Sequence, residues 1–119
     1  MLNLDTHLVV ALLDGSLNSR EIALVSTEPL AVSPIVLWEL AKLVQLGRLE
    51  IDLDSPEFRE FLRQVSVIPL TLEIAQKSTQ LDFQSDPADE IIAATSVVAG
   101  IPLLTRDRKI LKSKLVPFP

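Results

Sequence analysis

The chain has 119 residues, 48% of them apolar and 23% charged, a size that fits one domain with a substantial core and not two. Cysteine is absent and histidine occurs once, at His7, so disulfides, thiolate nucleophiles and Cys- or His-rich zinc sites are excluded, and any metal must be held by oxygen. A net charge of −5 argues against a broadly basic nucleic-acid face and leaves room only for a local one.

In chain order, Leu2 to Leu4 reads as a short strand ending at Asp5-Thr6. Leu8, Val9, Leu12 and Leu13 then recur at helical spacing until Asp14-Gly15 stops them. Ser19 to Thr27 repeats a helical pattern through Ile22, Ala23 and Val25, and Leu30-Ala31-Val32 after Pro29 reads as a second buried strand. Ser33 as N-cap with Pro34 at the first helical position opens the next helix; Ile35, Val36, Leu40, Leu43 and Val44 form its apolar face, and Gly47 closes it. Asp54-Ser55-Pro56-Glu57 begins an amphipathic helix through Phe58, Phe61, Leu62 and Val65. Val67-Ile68-Pro69-Leu70 is a predicted strand, Thr71 to Ser78 a short helix and Gln80 to Ser85 a loop. Asp86-Pro87-Ala88-Asp89 starts a helix that runs to Ala99 and ends at Gly100, after which Ile101 to Leu104 is a strand reaching Thr105-Arg106-Asp107. A turn near Ile110-Leu111 and an apolar Leu115-Val116 before two prolines complete the chain.

No apolar run is long enough for a bilayer span and no leader pattern is present, so the expectation is a soluble, cytoplasmic protein without membrane attachment. With no internal repeat and no Gly/Ser-rich linker, residues 1–119 are expected to form a single domain. Strands alternating with helices predict an α/β fold of parallel strands joined by right-handed crossovers, with helices on both faces. In such sheets ligands bind beyond the carboxyl ends of the strands.

Four acids draw attention on that rule. Asp5 follows the first strand and Asp107 comes three residues after Leu104. Glu39 lies three or four residues from Ile35, Val36 and Leu43, and Asp89 three, four and seven from Ile92, Ala93 and Ser96, so both point along apolar helix faces. Two carboxylates about 4 Å apart repel by about 4 kcal/mol at an effective dielectric near 20, so a gathering of four favours a divalent cation. Mg²⁺ or Mn²⁺ suits oxygen donors and supplies a water that can attack a phosphodiester.

The same residues carry a resemblance. Leu4-Asp5-Thr6-His7, Leu37-Trp38-Glu39-Leu40-Ala41 with Leu46-Gly47-Arg48-Leu49, Asp86-Pro87-Ala88-Asp89 with Ile91-Ile92-Ala93-Ala94-Thr95, and Leu104-Thr105-Arg106-Asp107 resemble, in order, the motifs of PIN-domain ribonucleases. The similarity covers nearly the whole chain and is strongest to the toxin branch of VapBC-type toxin–antitoxin modules. It implies a PIN-like three-layer fold with a parallel sheet of about five strands, Mg²⁺ or Mn²⁺, endonucleolytic RNA cleavage, a homodimer and inhibition by a cognate antitoxin protein. Carried over by position, Asp5 and Asp89 hold the metal, Glu39 and Asp107 complete the acidic catalytic cluster, and Thr6 and Thr105 orient carboxylates. Glu90 departs from the pattern, because relatives often place a basic residue after the Asp-Pro-x-Asp motif; this bears on substrate attraction more than on the metal.

Plainer readings stand beside these. Asp86 reads as an N-cap with Pro87 at the first helical position, and Asp89 equally as a first-turn acid reaching back or favouring the helix dipole. Asp5 also reads as a helix cap, and Glu39 as an acid paired with Lys42 or turned to solvent. His7 reads as packed near the first helix and not as a base, and Trp38 as a partly buried helix aromatic in preference to a stacking platform. Arg106, Arg108 and Lys109, in the densest basic stretch, are expected to contact RNA phosphates or else form a solvated face. Phe58 to Val65 fits an antitoxin groove, a dimer face or ordinary core packing. Two other functions remain open from the residues: a PIN-like binding or regulatory module without cleavage, and a receiver-like Mg²⁺ domain for phosphoryl transfer, which the motif order fits poorly.

Overall fold

A computed structural model describes residues 1–119. Four parallel strands, β1 (Leu2–Leu4), β2 (Leu30–Val32), β3 (Val65–Val67) and β4 (Leu103–Leu104), form one sheet in the order β3-β2-β1-β4. Seven helices flank it: α1 (Thr6–Asp14), α2 (Ser19–Thr27), α3 (Pro34–Gln45), α4 (Pro56–Gln64), α5 (Leu72–Ser78), α6 (Pro87–Ala99) and α7 (Arg108–Leu111). None of them is long and apolar enough to cross a membrane.

The strands are short, three residues in β1, β2 and β3 and two in β4. All three residues of β1 are buried, as expected for a central strand covered on both faces. Asn3 points to α6, donating to the Ile92 carbonyl at 3.2 Å and to Ser96 Oγ at 2.9 Å, so Leu2 and Leu4 point to the opposite face by the two-residue alternation of a strand. These leucines join Val9, Val36, Leu40, Ile92 and Ile110 in a core cluster of 16 residues.

Helix boundaries follow local chemistry. Ser33, Ser55 and Thr71 cap α3, α4 and α5 through their hydroxyls, and Pro34 and Pro56 occupy first-turn positions where no N–H is needed. Gly100 closes α6 with φ near 67°, a left-handed conformation that only glycine adopts without a side-chain penalty.

Two expectations need correction. The sheet has four strands and not five: the C-terminal segment approaches β4 through one bond, Leu103 N–H to the Pro117 carbonyl at 2.9 Å, but Pro117 and Pro119 have no N–H to donate to a ladder. The third strand lies at Val65–Val67 and not at Val67 to Leu70, starting directly where α4 ends. Pro69 lacks the donor a longer pairing would use, and the last contact with β2 is Ile68 N–H to the Val32 carbonyl.

The strand order places β2 and β4 on opposite sides of β1. The connections therefore diverge at β1, and the crevice beyond the carboxyl ends of β1 and β4 is the place where such sheets bind ligands.

Candidate active site

Asp5 follows β1 directly, and its position is over-determined. Its Oδ1 caps α1 by accepting from Thr6 N–H at 2.8 Å, and its Oδ2 accepts from the Thr105 hydroxyl at 2.7 Å. Asp5 is 2% exposed. The cap and the ligand readings of this acid are therefore compatible: the cap fixes the carboxylate at the head of the crevice.

Glu39 reaches the same place from the middle of α3. Its Oε1 accepts from the Thr6 hydroxyl, while Lys42 instead bonds Gln45 at 2.9 Å, so the Glu39–Lys42 pair does not form. Asp89 comes from the first turn of α6 and accepts from the Ser85 hydroxyl at 2.8 Å. Asp5, Glu39 and Asp89 line one crevice of about 320 Å³ together with Thr6 and His7. Burial pushes the carboxyls of Glu39 and Asp89 above their ordinary values. Repulsion among neighbouring acids adds to this: Asp89, Asp5 and Asp86 act on Glu39, and Asp5, Asp107 and Asp86 act on Asp89. The hydroxyls of Thr6 and Ser85 oppose the rise by bonding the charged forms.

Asp107 stands further out. Its Oδ1 caps α7, accepting from Lys109 N–H at 2.8 Å and Ile110 N–H at 3.3 Å, and its own N–H donates to Thr105 Oγ1 at 3.0 Å. Thr105 thus ties Asp107 to Asp5, and Asp107 acts on Asp89 through charge, but it does not line the crevice.

Asp86 behaves unlike the cap it resembles in sequence. It occupies the N-cap position of α6 with extended backbone, yet its side chain makes no cap bond. Pro87 supplies no N–H, and the carboxylate lies near enough to Glu39 and Asp89 to raise both. Asp89 does not close a capping box either, since its partner is the Ser85 hydroxyl.

His7 accepts the Arg106 N–H at Nε2, 2.8 Å, so its neutral form carries the proton on Nδ1, which faces Asp5 Oδ2 at 3.7 Å. It fastens the turn after β4 to the start of α1. Arg106 is not a free cation. Its guanidinium forks onto Glu21, Nε to Oε2 at 2.8 Å and Nη2 to Oε1 at 2.6 Å, which withdraws it from the phosphate-binding role expected of it. Arg108 and Lys109 are exposed and form no ion pair. Glu21 escaped the sequence reading, although Asn18-x-x-Glu21 is a capping-box signature that the structure realises in full.

No three of the His, Asp and Glu side chains stand close enough to enclose a metal ion by themselves. A hard cation such as Mg²⁺ commonly uses one or two carboxylates and keeps several waters. Oxygen donors that raise one another's proton affinity, with no lysine or arginine paired to Glu39 or Asp89, are a donor set of the right chemistry.

The PIN domain family model matches residues 3–114. The chain belongs to the PIN domain family. Ribonuclease VapC22 of Mycobacterium tuberculosis (strain ATCC 25618 / H37Rv) is 32% identical over 100 residues, covering 82% of this chain and 76% of the relative. Among solved structures, VapBC2 from Rickettsia felis bound to a promoter DNA fragment matches 100% of this PIN domain chain and 98% of its own, with a TM-score of 0.74 and 18% identity. A toxin–antitoxin complex from Klebsiella pneumoniae has a TM-score of 0.70 and 23% identity, over 94% of this chain and 91% of that one. FitAcB from Neisseria gonorrhoeae has a TM-score of 0.71 and 20% identity, over 100% and 97% respectively. At these identities the structures establish a shared PIN fold, and the four-stranded sheet is this chain's version of it.

Proposed function

We propose that this PIN domain, acting as one unit over residues 1–119, is a metal-dependent endoribonuclease and the toxin of a type II toxin–antitoxin module. The observation that carries the reading is the meeting of Asp5, Glu39 and Asp89, from three separate elements, in one crevice at the carboxyl end of β1. The ribonuclease relative and the fold shared with toxin–antitoxin complexes support the same assignment, with RNA as substrate and an antitoxin protein as inhibitor; a homodimer is part of the proposal.

Asp5 and Asp89 would hold the ion, and Glu39 and Asp107 would complete the set or position water. Bound there, Mg²⁺ or Mn²⁺ supplies charge neutralisation and a polarised water for phosphodiester hydrolysis. The chain's own work is orientation. Thr105 and the Thr6 N–H fix both oxygens of Asp5, the Thr6 hydroxyl fixes Glu39, and Ser85 fixes Asp89. Arg108 and Lys109, exposed on α7 directly after Asp107, orient the RNA backbone by charge.

The test is the pair Asp5→Asn and Asp89→Asn. Each is expected to reduce Mn²⁺-dependent RNA cleavage by roughly a thousandfold, about 4 kcal/mol of barrier, with an unchanged circular dichroism spectrum. Calorimetric titration of EDTA-treated protein with Mn²⁺ should show one binding event that both variants lose. Full cleavage by either variant rejects the assignment.

A further inference from the structure

A second cavity, of about 470 Å³, adjoins the acidic crevice and shares Glu39 with it. Its walls are Ile35, Trp38, Glu39, Asp86, Pro87 and Ile91, from α3 and the start of α6. Its volume lies in the range of small-molecule sites. Trp38 is 55% exposed, and it makes no aromatic pair, since the only paired rings are the tilted Phe58 and Phe61. An indole left this open, in a cavity next to the acidic crevice, offers a flat apolar face to a ligand.

The charges on the walls decide what such a face would receive. No lysine or arginine lines the cavity, while Glu39 and Asp86 do, so a phosphate is repelled and a hydrogen-bond donor is welcomed. The Asp86 carboxylate is exposed and accepts no hydrogen bond. A carboxylate takes two parallel donors best. Among the four RNA bases, guanine alone presents adjacent N1–H and N2–H donors. Adenine and cytosine place a ring-nitrogen acceptor beside the amino group, and uracil offers one N–H between two carbonyls.

We propose that this cavity is a nucleobase subsite, in which Trp38 stacks a guanine flanking the scissile phosphate of single-stranded RNA and Asp86 accepts its N1–H and N2–H. The inference rests on the ribonuclease reading for the position of the phosphate and deepens it by naming a base. Continuity through Glu39 puts the cavity next to the acidic crevice, and single-strand readers splay bases onto aromatic side chains in the same way.

Trp38 is the sole tryptophan, so its fluorescence reports the cavity directly and without turnover. The protein in EDTA is titrated with five-nucleotide RNAs of uridine carrying guanine, inosine, adenine or uracil at the centre. Guanine is expected to quench saturably at a concentration on the order of tenfold below inosine, which lacks the N2 donor, and the all-uridine strand to bind most weakly. Asp86→Asn should erase the guanine-over-inosine preference. In Mn²⁺, Trp38→Ala should lower kcat/KM by about tenfold or more on RNA cut beside guanine, and Trp38→Phe should restore most of it.

Equal quenching by all four strands, or an unchanged cleavage pattern in both Trp38→Ala and Asp86→Asn, overturns the proposal. So does a Trp38→Ala variant that alters only self-association while base preference persists, which would assign the face to a second copy of the chain. Guanine-selective quenching without any cleavage upholds the subsite and sinks the ribonuclease reading. Cleavage without selective quenching does the reverse.

Discussion

Glu21 on α2 and the Glu39–Asp89 pair at the crevice carry the same functional group and behave oppositely. Glu21 is 4% exposed, yet its carboxyl is pulled down to about 2, because Arg106 binds both oxygens and the Asn18 N–H adds a third donor. Glu39 and Asp89 are half-buried with no cation paired to them, and their carboxyls are pushed up, by burial first and then by neighbouring acids. The contrast shows that burial alone does not decide the charge state. A cation supplied by the fold settles Glu21, and the same fold leaves the crevice acids without one, which is how a site for an external cation differs from a structural ion pair.

Removing charge at each place should separate the two kinds of acid. The largest effect is the loss of cleavage in Asp89→Asn and Asp5→Asn, with the fold retained. Next comes Arg106→Ala, which strands Glu21 in a buried position. Breaking a fully buried pair costs about 3–5 kcal/mol, but the Arg106 side chain is 43% exposed, so solvent screening reduces the expected loss to about 2 kcal/mol. Thermal melting should fall by about 8 °C for a chain of this size. Arg106→Lys should recover less than half, since an ammonium cannot form the fork.

The pH dependence of stability should divide along the same line. Glu21 has a depressed pKa, so its contribution is complete above its ordinary 4.5 and is lost as pH falls toward about 2. Glu39 and Asp89 have raised values, so their charged forms oppose folding at neutral pH, and protonation relieves that cost as pH falls toward their ordinary 4.5 and 3.8. Melting of EDTA-treated protein is therefore expected to rise as pH falls from neutral toward 4.5, and to decline at lower pH as Glu21 is protonated. Glu39→Gln should stabilise the metal-free protein at pH 7 by about 1 kcal/mol and flatten the first limb. Destabilisation by that variant would mean that Glu39 is not burdened by its neighbours.

Much of this contrast was legible in the sequence on one side only. Asp5, Glu39 and Asp89 could be placed because each sits at a fixed offset from a strand end, a helix cap or an apolar stripe, and the parallel topology brings such positions to one edge. The Glu21–Arg106 fork joins residues 85 apart, and nothing local in Thr105-Arg106-Asp107 distinguishes a clamped arginine from a free one. Asp86 failed in the other direction, because cap preference is a statement about neighbours in sequence while its carboxylate lines a cavity with Glu39 and acts on it through charge. Similarly, Val65 satisfied the apolar spacing of α4 and also begins β3, so the boundary between them could be set only by pairing with β2.

The smallest expected effect tests whether a single hydroxyl holds Asp89 ready to bind an ion. Ser85 donates to Asp89 at 2.8 Å and favours its charged form against burial and like-charge repulsion. Ser85→Ala removes that donor without touching the crevice acids, so the Asp89 carboxyl should rise further and be protonated over a wider range of pH. The acidic limb of the Mn²⁺-dependent cleavage profile should then move to higher pH by less than about one unit, with the plateau rate changed only a few-fold. Ser85→Thr, which keeps the hydroxyl, should return the limb to its original position. A profile that does not move in Ser85→Ala would show that protonation of Asp89 does not control the acidic limb, and would direct attention to Glu39, whose own restraining donor is the hydroxyl of Thr6.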